Sequence, residues 1–260
     1  AAPRLRFIQV AGVGVDHVDI DAARELGITV AAVTGANTVS VAEHVVMVAL
    51  ALIKGLIPAH NQLAQGEWSL PYWIAHAHDI QGKTVGIIGM GRIGREVAAR
   101  LLPFGVTTFY YDIQPLPPDQ EAALGVTYLE LDALLPECDL ITLHMPLTPE
   151  TRGLFGREQL QAMKQGAFLI NTARAELVQE DALIEALQGH LGGAAIDVFS
   201  QEPPPPDHPL LRLPNVILTP HGAGVTQEAQ QRIAQGVIQN VLRFLEGRPL
   251  ADVVVQGTRL

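Results

Sequence analysis

The passage TVGIIGMGRIG, from Thr84 to Gly94, constrains this chain more than any other. An apolar, β-branched run enters a turn containing Gly89, Gly91 and Gly94, and a helix-length segment opens near Arg92. In that order each glycine has a physical task. Gly89 serves a tight turn, Gly91 lets the backbone approach an anion, and Gly94 allows close packing of helix on strand, while free N–H groups at the helix start face the anion. The next apolar run ends in Tyr110, Tyr111 and Asp112, and Asp112 lies 18 residues beyond Gly94. That is close to the spacing of about 20 at which an acid accepts a hydrogen bond from a ribose 2′-hydroxyl. The pattern predicts a dinucleotide site, and an acid that repels a 2′-phosphate selects NAD over NADP.

The rest of the chain repeats the strand-then-helix rhythm. Phe7–Val10, Ile28–Val33, Thr84–Ile88, Val106–Tyr111, Leu140–Leu143, Ala167–Asn171, Ala194–Val198 and Val216–Thr219 read as strands, with helix-length segments between most of them. Parallel strands need crossovers, and crossovers cover a sheet on both faces, so the expected fold class is α/β with a doubly wound, Rossmann-type parallel sheet. Ser40 with Glu43 fits a capping box ahead of the apolar run Val45–Ile53, which is too short to span a bilayer and reads as a buried helix. The stretches 57–82 and 201–209, the latter with four consecutive prolines, read as loops.

Composition narrows the partners. With 260 residues, 48% of them hydrophobic, the chain can bury a large core, and its formal charge of −10 argues against nucleic acid and anionic membranes as partners. Cys138 is the only cysteine, and the start of the chain has no signal-peptide pattern, so the expected setting is the cytoplasm. His76 and His78 lack a second pair at metal-site spacing, so no metal is expected.

Catalytic groups belong where parallel strands end. Arg174 follows the run 168–171, Glu202 comes five residues after Asp197, and His221 follows the run 216–219. Hydride transfer to a carbonyl leaves charge on oxygen, which a protonated imidazole meets by donating a proton, so His221 is read as the acid/base. A carboxylate on the other ring nitrogen orients the imidazole and favours its cation, a task for Glu202. A guanidinium presents a planar fork to a substrate carboxylate, which suits Arg174.

At these residues the chain resembles the D-isomer-specific 2-hydroxyacid dehydrogenases. The likeness runs through AGVGVDHVDI, NTVSVAEH, GIIGMGRIG, HMPLTPETRGL, NTARAELV, AIDVFSQEP and TPHGAG, nearly the whole chain. It implies that Val13 and Gly14 offer backbone N–H groups to the substrate, and that Arg92, Ile93, Met145, Thr172, Ala173, Arg174, Asp197, His221, Gly222 and Ala223 join Gly89, Gly91, Gly94 and Asp112 at the cofactor. It also implies a nucleotide domain over 37–224 inserted in a substrate domain formed by 1–36 and 225–260, with a helix over Thr226–Leu245. Because the chain begins almost at the strand 5–10, that substrate domain is expected to be shortened.

The resemblance points first to a small 2-oxo or 2-hydroxy acid, with a homodimer formed through the helix at Val45–Ile53 and the stretch holding Trp68, Tyr72 and Trp73. Two alternatives stand beside it. SVAEHVVM and HAHDI are similar to stretches of NAD-dependent formate dehydrogenases, in which Asn37 would bind formate beside Arg174. Glu202, where those enzymes typically carry glutamine, and the intact Gly89 are read against formate. The other alternative is an NAD(H)-binding module without turnover.

Overall fold

The structure, a computed structural model, describes residues 4–258. Its strands are β1 (Phe7–Gln9), β2 (Thr29–Ala31), β3 (Thr84–Ile88), β4 (Thr107–Tyr111), β5 (Val126–Tyr128), β6 (Leu140–Leu143), β7 (Phe168–Asn171), β8 (Gly193–Ile196), β9 (Val216–Leu218) and β10 (Val253–Val255). Its helices are α1 (Ile20–Glu25), α2 (Thr38–Lys54), α3 (Leu56–Ala64), α4 (Leu70–His76), α5 (Arg92–Leu101), α6 (Pro118–Leu124), α7 (Leu131–Leu134), α8 (Arg157–Ala162), α9 (Glu180–Gly189) and α10 (Gln227–Leu245). The chain divides into two compact units, one made of the residues up to Ser40 with those from Gly224 onward, the other of Val41–Ala223.

The larger unit holds a seven-stranded sheet in the order β5-β4-β3-β6-β7-β8-β9, and every pair in it is parallel. The chain winds outward from β3 to β5, then returns to place β6 on the other side of β3. That reversal makes the carboxyl ends of β3 and β6 a switch point, where such sheets open a crevice for ligands. Side chains alternate across the sheet. Ile88, Ile141, Leu143, Leu169 and Ile196 enter one core cluster, while Val85, Ile87, Leu140, Ile170 and Ala195 enter the other. The apolar face of α2, with Val45, Val48, Ala49, Leu52 and Ile53, is buried in this second cluster. No single helix among the described residues is long and apolar enough to cross a membrane.

The smaller unit contains a three-stranded sheet, β1-β2-β10, in which β1 pairs β2 in parallel and β10 pairs β2 antiparallel. Helix α10 is capped by Thr226, whose hydroxyl accepts from the Ala229 N–H at 3.1 Å.

Three sequence expectations need correction. The stretch 57–82 contains α3 and α4 rather than loop alone. Its prolines are compatible with helix because Pro58 and Pro71 occupy first helical turns, where a missing N–H costs nothing. Ser40 does not cap α2, which has already begun at Thr38; the Ser40 hydroxyl instead shares a hydrogen bond with that of Thr226 at 2.9 Å. The strands β5 and β10, each only three residues long, add to those that the sequence pattern predicts. Of the aromatics expected at an association surface, Trp68 is 79% exposed, and Tyr72 stacks on His76 with ring centres 4.2 Å apart.

Candidate active site

Register decides what meets at the edge of the large sheet. Ile88 stands opposite Tyr111 and Leu143, Leu143 opposite Asn171, Asn171 opposite Ile196, and Ile196 opposite Leu218. With neighbouring strands about 4.8 Å apart, the residues just past this row follow one another along the edge in the order Asp112, Gly89, His144, Thr172, Asp197 and Thr219. Elements far apart in sequence therefore deliver their polar groups to one line.

The nucleotide end begins with Gly89, which leaves β3 at φ +98°, a conformation side chains rarely adopt. A Cβ there would also lie 2.8 Å from the backbone of His144 and Met145. At Gly94 a Cβ would come within 2.1 Å of the Gly89 carbonyl oxygen, so the helix sits against its own turn. Gly91 differs from both, since a Cβ there would meet nothing within 4 Å. It also precedes the ten-residue α5 with no side chain capping the first turn, leaving its N–H groups for an anion. Asp112 secures the turn by accepting from the Met90 N–H at 2.6 Å and the Gln114 N–H at 3.1 Å. Arg92 is exposed, Ile93 partly buried and Met145 buried.

Asn171 shapes the loop that carries Arg174. Its amide oxygen accepts from the Ala173 N–H at 3.0 Å, and its amide nitrogen donates to the Arg174 carbonyl at 2.8 Å. The Arg174 guanidinium donates to the Ala173 carbonyl at 2.7 Å. Among the described residues, the buried Thr172 hydroxyl has no hydrogen-bond partner. The open space at Gly91, the uncapped start of α5 and this orphaned hydroxyl all fit a bound dinucleotide.

Asp197 organises the other end. Its side chain, 2% exposed, accepts from the N–H groups of Gly222 at 2.8 Å and Ala223 at 2.9 Å, and from the Thr219 hydroxyl. Its carbonyl accepts from the His221 N–H at 2.8 Å. These bonds hold His221 at φ +52°, a left-handed conformation uncommon outside glycine. The turn presents the His221 ring to Glu202, with Nδ1 to Oε2 at 2.8 Å, while Oε1 of Glu202 accepts from the Phe199 N–H at 3.1 Å. Partial burial pushes the Glu202 carboxyl up, but hydrogen bonds from His221 and Phe199, with the charges of His221 and Arg174, outweigh it and leave the group below the usual carboxylate range. An ionised carboxylate only accepts, so Nδ1 of His221 carries hydrogen and Nε2 is left to face a ligand. Arg174, Glu202 and His221 thus share one electrostatic neighbourhood.

The remaining predicted residues belong to the smaller unit. Val13 is 43% exposed and Gly14 follows it in the loop after β1. Asn37 packs under Gly224, where a Cβ would lie 2.6 Å from the Asn37 amide nitrogen, and its buried amide oxygen has no partner among the described residues. Sequence reasoning assigned no part to Asn171, which holds the Arg174 loop, to Thr219, whose hydroxyl donates to Asp197, or to His44, whose Nε2 is 3.4 Å from the Thr219 hydroxyl. For His44 the only signal was its place in NTVSVAEH.

Known proteins resemble this arrangement over most of their length. Formate dehydrogenase of Arabidopsis thaliana is 40% identical over 263 residues, a match that takes in the whole of this chain and 68% of that protein. The NAD-dependent formate dehydrogenase of Staphylococcus aureus, solved in complex with NAD, is 46% identical at a TM-score of 0.91, with 98% of this chain and 77% of that one covered. Glyoxylate reductase of Thermofilum pendens is 41% identical over 250 residues, covering 95% of this chain and 74% of that protein. Residues 46–223 match the model of the D-isomer specific 2-hydroxyacid dehydrogenase NAD binding domain. With the glycine turn, the acid at the end of β4 and this match in agreement, the chain belongs to the D-isomer specific 2-hydroxyacid dehydrogenase family and has NAD as its cofactor.

Proposed function

We propose that this NAD-dependent oxidoreductase acts on a small carboxylate gripped by Arg174, and that formate is the substrate its relatives favour. The formate dehydrogenases among the relatives support formate ahead of the 2-hydroxy acids to which the motifs point first. Formate is an anion with no hydroxyl proton to lose. Arg174 binds its oxygens through the guanidinium fork, and Nε2 of His221 donates to one of them when the ring is protonated. As the hydride leaves, the carbon becomes neutral carbon dioxide. The two cationic groups then hold a product they bind weakly, which aids release. NAD, when bound, supplies the hydride acceptor; the residues of this chain orient the anion toward it.

One observation favours a second reading, a 2-oxo or 2-hydroxy acid. The 2.8 Å pairing of Glu202 with His221 is the equipment of an acid/base. It stabilises the imidazolium and fixes which nitrogen faces the substrate. In reduction His221 would protonate the carbonyl oxygen as hydride reaches the carbon, and in oxidation it would take the hydroxyl proton back. The similarity to a glyoxylate reductase supports the same reading.

The discriminating experiment follows absorbance at the NADH band for the purified protein with formate and NAD, and with NADH and glyoxylate, hydroxypyruvate or pyruvate. Turnover of formate alone establishes the first reading, and turnover of a 2-oxo acid the second. His221→Ala is expected to lower kcat/KM for a 2-oxo acid by roughly 10²–10⁴-fold, the worth of a positioned proton donor, and to lower formate turnover through loss of a hydrogen-bond donor to the anion. Binding of NADH with no turnover in any well would overturn both readings and leave a cofactor-binding module.

A further inference from the structure

His44 lies on α2, a helix whose other face belongs to the core, and its imidazole is partly buried. Its Nε2 is 3.4 Å from the hydroxyl of Thr219. That hydroxyl in turn touches the carboxylate of Asp197, which accepts from Gly222 and Ala223. We propose that His44 is a positioning residue for His221, acting through Thr219 and Asp197.

The direction of each bond follows from the donor inventory. An ionised carboxylate accepts and never donates, so the single proton of the Thr219 hydroxyl goes to Asp197. Toward His44 that hydroxyl has only a lone pair left, and the hydrogen between them belongs to Nε2 of His44. The chain therefore runs from His44 Nε2–H to Thr219 Oγ1–H to Asp197, where two backbone N–H groups arrive from the His221 turn. His44 fixes the rotamer of Thr219, Thr219 fixes the carboxylate, and the carboxylate holds His221 in its left-handed backbone conformation. Burial holds the His44 imidazole below its ordinary range, against a smaller upward pull from Asp197, so the neutral ring is the working form.

The catalytic consequence rests on His221 meeting the substrate as proposed above, whereas the structural consequence does not. Two readouts separate them. Nitrogen-15 NMR of the histidines in the intact protein is expected to show His44 as the Nε2–H tautomer. Hydrogen exchange at the Gly222 and Ala223 amides is expected to quicken about three- to tenfold in His44→Leu, the loss of one hydrogen bond, and to return toward wild type in His44→Gln, whose amide also donates. With the substrate that the wild type turns over, His44→Leu should lower kcat by about the same factor while KM for NAD and substrate stays within twofold.

A proton on Nδ1 of His44, or unchanged exchange at both amides, overturns the proposal. So does a wild-type kcat in His44→Leu when His221→Ala is inactive. If neither variant alters turnover while exchange and tautomer behave as expected, the positioning network stands and the assignment of His221 falls. Should His44→Leu fail to fold, the tautomer and the His44→Gln variant decide.

Discussion

The turn at Gly89 and the turn at His221 leave parallel strands at the same edge of one sheet, and both hold backbone that most residues avoid. They are stabilised in opposite ways. The Gly89 turn takes its shape from residues without side chains, spaced within a few positions of one another, and needs one outside carboxylate, Asp112, on the Met90 N–H. The His221 turn carries an imidazole in left-handed backbone and is held by Asp197 from the preceding strand, with Thr219 and His44 behind it. A site that needs only close approach to an anion can be made of glycine. One that must aim a side chain needs outside support.

The strongest way to break this comparison is Asp197→Ala. It leaves the Gly222 and Ala223 N–H groups and the Thr219 hydroxyl without their acceptor. An unpaired buried group costs about 1–3 kcal/mol; the Ala223 N–H is buried and the other two are partly so, so denaturant unfolding should register a loss on the order of 3 kcal/mol, together with loss of turnover. Wild-type stability in this variant would mean the turn is self-sufficient.

Gly94→Ala tests the other turn. Its Cβ would meet the Gly89 carbonyl at 2.1 Å, backbone against helix, with no flexible side chain to yield. Overpacking of this kind costs about 1–3 kcal/mol, and NAD affinity measured by calorimetry should fall with the thermal midpoint. Retained affinity would show that the turn tolerates a shift of α5.

The smallest effect belongs to Glu202→Gln. The carboxyl of Glu202 titrates below its usual range when folded, so its contribution to stability is present above the ordinary glutamate pKa and is lost as pH falls through the lowered value. Because the side chain is 38% exposed, solvent keeps this contribution small. The variant should flatten the acid end of the stability–pH curve while leaving stability at neutral pH within about 1 kcal/mol of wild type. An unchanged acid limb would show that other carboxyls account for it. The same variant shows how much of the rate depends on the pair, since formate oxidation has no hydroxyl proton to move and should suffer less than reduction of a 2-oxo acid.

The sequence by itself determined the Rossmann sheet, the glycine turn and the acid at Asp112, because period, spacing and the absence of a side chain are local properties that a short stretch expresses alone. It also placed Arg174, Glu202 and His221 at strand ends in an order that marks the family. The tertiary structure decided the rest. Helices α3 and α4 were hidden by prolines that are harmless in a first turn, and the three-residue strands β5 and β10 exist only because a neighbouring strand offers them hydrogen bonds. The part of Asp197 in the turn, the work of Asn171 beneath Arg174 and the contact of His44 with Thr219 were equally unreadable. Such contacts join residues up to 175 positions apart, and a hydrogen bond depends on distance and direction in space, which one-dimensional spacing does not carry.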